Sequence, residues 1–147
     1  MTDVVELAIH IEATPATVFR YFVDPERLVR WQGIEADIEP EPGGRMRIRI
    51  NQGAVALGEY LEVVPDERLV FTWGWEGNDG VPPGSSTVEV TLTPEAGGTT
   101  VTLVHRDLPD AQAATDHGAG WTHYLARLQV AGPGGDPGPD ALASGGS

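Results

Sequence analysis

Between Ile34 and Arg106 the chain alternates apolar and polar residues with a period of two, and most breaks between the alternating runs are only a few residues long. That combination leaves little room for anything but a meander of antiparallel strands, because parallel neighbours need crossovers of a dozen residues or more. The candidate strands are 34–39, 45–51, 54–64, 68–75, 86–93 and 99–106. Pro42-Gly43-Gly44, Asn51-Gln52-Gly53, Pro65-Asp66-Glu67 and Ala96-Gly97-Gly98 supply the turns. A longer connection, 77–85, holds Asn78-Asp79-Gly80 and Pro82-Pro83-Gly84 and is expected to form a mobile rim.

The flanks read differently. Val5, Leu7, Ile9 and Ile11 share one face of a first strand, with Glu6 and His10 on the other. Thr14-Pro15 then has the form of a helix cap followed by a first-turn proline, and Val18, Phe19 and Phe22 make one apolar face. Asp24-Pro25-Glu26 repeats the signal, with Leu28 and Trp31 facing inward. After Pro109, Trp121, Leu125 and Leu128 fall at helical spacing beside Tyr124, although Gly118 and Gly120 weaken the first turns and blur the start. The expected fold is α+β, with a seven-stranded curved antiparallel sheet, a long C-terminal helix across its concave face, and two short helices between strands one and two. A bowed sheet and a straight rod do not fill the space between them, so a cavity is expected. Residues 1–131 form one domain in this reading, and 132–147, rich in Gly, Pro, Ala and Ser, form a disordered tail.

Composition excludes several chemistries. The 147 residues contain no cysteine, which removes disulfides and thiolate nucleophiles or metal ligands. The net charge is -13, and the nine basic side chains are all arginine. A field of that sign repels phosphate backbones and anionic lipid, so neither nucleic acid nor membrane is an expected partner. Without lysine there is no Schiff-base or phosphate-loop chemistry. No signal peptide or membrane-length apolar run is visible, and a cytoplasmic protein is expected. No cofactor motif is present. Oligomeric state is left open, with a homodimer among the options.

The candidate site residues are mostly aromatic. Trp73 and Trp75 alternate with Phe71 and Leu69 on one strand face, and either form a flat wall for a hydrophobic ligand or pack the core. Phe22, Trp31, Trp121 and Tyr124 join them from the helices as candidate ligand contacts. His105 shares a face with Val101 and Leu103 and points inward, to orient a ligand, act as a base, or bond to a backbone carbonyl or to Glu59. Glu59 is the second catalytic candidate, because a carboxyl inside an apolar cavity has a raised pKa. The competing register puts Tyr60 inside and Glu59 in water, and periodicity alone does not choose. Arg45, Arg47 and Arg49 are expected on a solvated strand face opposite acids. His117 and His123 stand on opposite sides of a helix with His10 elsewhere, so no metal site is expected.

In the order Asp24-Pro25-Glu26 with Leu28 and Trp31, Gly58, Pro65 to Trp73, Val88 to Pro94, Gly98-Thr99, His105 and Gly120-Trp121 with Leu125 and Leu128, the chain resembles the START/Bet v 1-like (SRPBCC) superfamily of helix-grip domains. It looks most like the AHSA1-like branch, named after the activator of the Hsp90 ATPase, over roughly residues 4 to 130. The resemblance implies a cavity between sheet and C-terminal helix. The leading expectation is binding of a small hydrophobic molecule, aromatic or lipid-like. The alternatives are a cofactor-free cyclase, dehydratase or hydrolase using His105 and Glu59, and a protein-interaction module of the Hsp90-activator kind. The sequence shows no counterpart of the domain that precedes this one in eukaryotic activators, which argues against direct chaperone activation.

Overall fold

A computed structural model of the chain describes residues 3–140. Its strands are β1 (Asp3–Ile11), β2 (Glu35–Ile38), β3 (Arg45–Asn51), β4 (Ala54–Val64), β5 (Arg68–Trp73), β6 (Ser86–Glu95) and β7 (Gly98–Leu108). They form one seven-stranded sheet in the order β1-β7-β6-β5-β4-β3-β2, and every neighbouring pair is antiparallel. Two short helices, α1 (Pro15–Val23) and α2 (Pro25–Leu28), link β1 to β2, and α3 (Ala111–Ala131) closes the fold. This is the expected helix-grip arrangement.

Local chemistry explains the boundaries. Thr14 caps α1 by accepting from the Thr17 N–H, and Asp24 caps α2 by accepting from the Glu26 N–H. β5 ends at Trp73 rather than at Trp75, because the Trp75 N–H leaves the ladder to bond the Val81 carbonyl at 2.8 Å. α3 starts at Ala111, well before Trp121, since Asp110 caps it through the Ala113 N–H. That cap offsets the poor helix propensity of Gly118 and Gly120. Only the second half of α3 is buried, through Trp121, Tyr124, Leu125, Leu128 and Ala131.

The sheet's inner face forms the core with these residues and with Val18, Phe19 and Phe22 of α1. Its outer face carries ions. Arg45 pairs with Asp37 and Glu39, Arg47 with Glu76, and Arg49 with Glu35. Exposed pairs of this kind contribute about 0–1 kcal/mol each, so they serve solubility more than stability. The 77–85 connection, expected as a mobile rim, is tied down: Asn78 Oδ1 accepts from the Gly80 and Val81 N–H groups, and Val81 is buried. Beyond α3, residues 135–140 have no regular structure, yet Arg127 donates to the carbonyls of Pro137 and Gly138, and His123 meets the Asp140 carboxylate at 2.7 Å. The expected tail runs on through 141–147, which lie outside the described residues.

Candidate functional site

A cavity of about 470 Å³ opens between the first half of α3, the end of β5 and the loop at 78–81. The strand supplies Trp73 and Trp75, the loop Asn78 and Val81, and the helix Asp116, His117, Gly120, Trp121 and Tyr124. Gln32, just past α2, and Ile50 of β3 complete the inner end. The volume is that of a site for one small molecule.

Three indoles form the apolar wall. Trp73 stands 5.4 Å from Trp75 and 5.2 Å from Trp121, centroid to centroid. Two histidines fix two of these rings. The Trp121 indole N–H donates to His105 Nδ1 at 3.0 Å. His105 Nε2–H then donates to Ser86 Oγ at 2.8 Å, and the Ser86 hydroxyl donates to the Trp73 carbonyl at 2.8 Å. On the other side, the Trp75 indole N–H donates to His117 Nε2 at 2.9 Å while His117 Nδ1–H donates to the Ala113 carbonyl at 2.8 Å. Each network assigns one neutral tautomer to its ring, since a second ring N–H would confront an indole N–H. Burial, and then the neighbouring His117, push the His105 pKa down from 6.5 to about 3.

His105 is fully buried and does not line the cavity, so it stands one layer behind the wall and positions Trp121 and Ser86. Its proposed partner is elsewhere: Glu59 is exposed, and Tyr60 takes the inward place. Leu61, on the Glu59 face, is 49% exposed. The His105–Glu59 acid/base pair therefore does not form. Its cause is a register shift between Tyr60 and Glu62, which periodicity does not reveal. Phe22 and Trp31 also depart from expectation. They meet edge to face at 5.1 Å in the core, Trp31 donates its N–H to the Tyr21 carbonyl at 2.8 Å, and neither lines the cavity. Trp73, Trp75, Trp121 and Tyr124 do line it.

Gln32 is the residue that sequence reasoning missed. It is 4% exposed and lines the cavity, yet its side-chain amide has no partner among the described residues. Neither amide atom is sealed off in the way the Trp73 indole nitrogen is, so both open on the cavity. The amide thus offers one donor group and one acceptor to whatever occupies the inner end of the cavity. Burial, and then the carboxylate of Asp140, hold the Tyr124 phenol above its usual range, which keeps it neutral. Asp110 and Asp116 are exposed on the helical side of the mouth, and the lining contains no arginine.

The comparisons agree with this architecture. Residues 12–131 match the family model described as activator of Hsp90 ATPase homolog 1-like protein. The chain is similar to the solution structure of an AHSA1-like protein from Rhizobium etli, with 46% identity and a TM-score of 0.77, covering 95% of this chain and 88% of that one. It is also similar to CalU16 from Micromonospora echinospora (29% identity, TM-score 0.72, 86% of this chain and 74% of that one). DynU16, a protein of the dynemicin biosynthetic locus, aligns at 28% identity and a TM-score of 0.80 over 92% of this chain and 49% of that one. The Aha1 dimer from Colwellia psychrerythraea, at 17% identity and a TM-score of 0.72 over 99% of both chains, shares the fold. No curated protein matches. With most of its length inside the family model and close to half its residues shared with the Rhizobium etli protein, the chain belongs to the activator of Hsp90 ATPase homolog 1-like family.

Proposed function

We propose that the protein binds a small, uncharged, aromatic molecule whose inner edge carries hydrogen-bonding groups. The Gln32 amide carries this reading: without a protein partner and opening on an indole-walled cavity, it presents a donor and an acceptor to the polar edge of a ligand. The wall favours an aromatic surface. Because the lining offers two carboxylates and no arginine, within a chain of net charge -13, an anionic ligand such as a fatty acid is disfavoured. Burial of ~300 Å² of apolar ligand surface is worth about 7 kcal/mol by area, before ordering costs are subtracted. The likeness to DynU16 adds that a domain of this shape occurs in the dynemicin biosynthetic locus. The protein holds its guest in this reading: the histidine of the lining, His117, has both ring nitrogens engaged, one by the Trp75 indole and one by the Ala113 carbonyl.

Native mass spectrometry of protein purified from its own host is expected to show a retained small molecule. A neutral naphthyl ketone, 6-propionyl-2-(dimethylamino)naphthalene, serves as a fluorescent surrogate. Gln32→Met keeps the bulk and removes the amide, so it is expected to weaken the surrogate about 5–10-fold, the worth of one hydrogen bond. A protein that retains nothing from its host and is stabilised by no neutral aromatic compound refutes the reading.

A further inference from the structure

Gly120 lies in the interior of α3, where glycine is a poorer helix former than alanine. Backbone geometry gives no reason for it, since the residue is helical. Packing gives none either: a Cβ built at 120 meets no heavy atom within 4 Å. The same Cβ points into the cavity. Position 120 shares its helix face with Asp116, His117 and Tyr124, all of which line the cavity together with Gly120 itself. Gly118, two residues earlier, differs. Its Cβ would rest against Val5 at 3.8 Å, an ordinary contact, and it does not line the cavity.

We infer that Gly120 sets the size of the binding site, with a ring of the bound molecule lying against the bare helix surface at that point. The inference rests on the ligand-binding reading above and deepens it. The missing side chain leaves a slot facing the indole wall, and the unpartnered Gln32 amide at the inner end independently marks the same space for a ligand. Any side chain at 120 shortens the slot. The molecule admitted is therefore one that fills it, and smaller guests are the ones a larger residue would still accept.

The test compares wild type with Gly118→Ala, Gly120→Ala and Gly120→Leu, using the same naphthyl ketone and the melting temperature of the empty proteins. Both alanine variants are expected to melt about 3 °C higher, because each removes a helix-weakening glycine. Gly118→Ala is expected to bind as wild type does. Gly120→Ala is expected to bind several-fold more weakly, and Gly120→Leu at least tenfold more weakly. Host ligand retained by wild type is expected to be missing from Gly120→Leu. Should Gly120→Leu fail to fold, the two alanine variants decide the matter between them. Equal affinity in Gly118→Ala and Gly120→Ala overturns the slot while leaving the binding site standing. A wild-type protein that binds neither surrogate nor host ligand overturns both.

Discussion

His105→Leu is expected to cost about 2–4 kcal/mol at pH 7 and almost nothing near pH 4. At neutral pH the variant loses two buried hydrogen bonds and leaves the Trp121 N–H without an acceptor. Acid removes the advantage of the wild type. Unfolded, the imidazole takes up a proton near pH 6.5; folded, it resists until about pH 3, because burial and then His117 oppose the charge. The unfolded state thus binds the extra proton throughout that window. The ring's contribution is complete above about pH 6.5 and falls with falling pH, by about 3 kcal/mol at pH 4. Carboxylates titrate in both proteins and cancel in the difference. Urea denaturation of the two proteins across this range is the measurement, and stability curves that run parallel would show that His105 is not held neutral by the fold.

Gly58→Ala is expected to destabilise by about 3 kcal/mol or more, lowering the melting temperature by roughly 10 °C. Between the Tyr60–Phe71 pair and the Ala56–Trp75 bridge, β4 and β5 keep one antiparallel register, and their backbones pack closely at Gly58 and Thr72. A Cβ on residue 58 would stand 1.8 Å from the Thr72 carbonyl oxygen. Backbone has to move, and Trp73 and Trp75 follow Thr72 directly, so the indole wall shifts with it. Circular dichroism melting checks the stability, and quenching of indole fluorescence checks the wall. Gly53→Ala, whose nearest contact would be Asn51 Oδ1 at 3.8 Å, is the companion that should change stability by no more than about 0.5 kcal/mol. Equal melting of the two variants would mean that the close approach of Gly58 to Thr72 yields more easily than its spacing implies.

The sheet was legible because each strand buries one face, and burying one face writes a period of two into the residues: 45–51 and 54–64 match β3 and β4 end to end. Capping was legible at Thr14 and Asp24 for a local reason, a side chain bonding a backbone amide a few residues away. The site was legible only in part. Periodicity places Trp73, Trp75 and Trp121 inward but does not separate a wall that faces packed atoms from one that faces space, which is why Phe22 and Trp31 read like the others and yet lie in the core. Glu59 and Tyr60 depended on a strand irregularity that carries no residue signature. Gln32 follows a helix with no periodic neighbour, so nothing in its surroundings distinguishes it from a solvated glutamine until the tertiary structure buries it.

The closing helix is anchored unevenly. From Trp121 onward it is bolted to the sheet, whereas the turns before that carry two glycines and no fully buried side chain. Its leading turns also roof the cavity. Local unfolding of those turns would open the cavity with every strand pairing intact, at an energy separate from the free energy that keeps the whole chain folded.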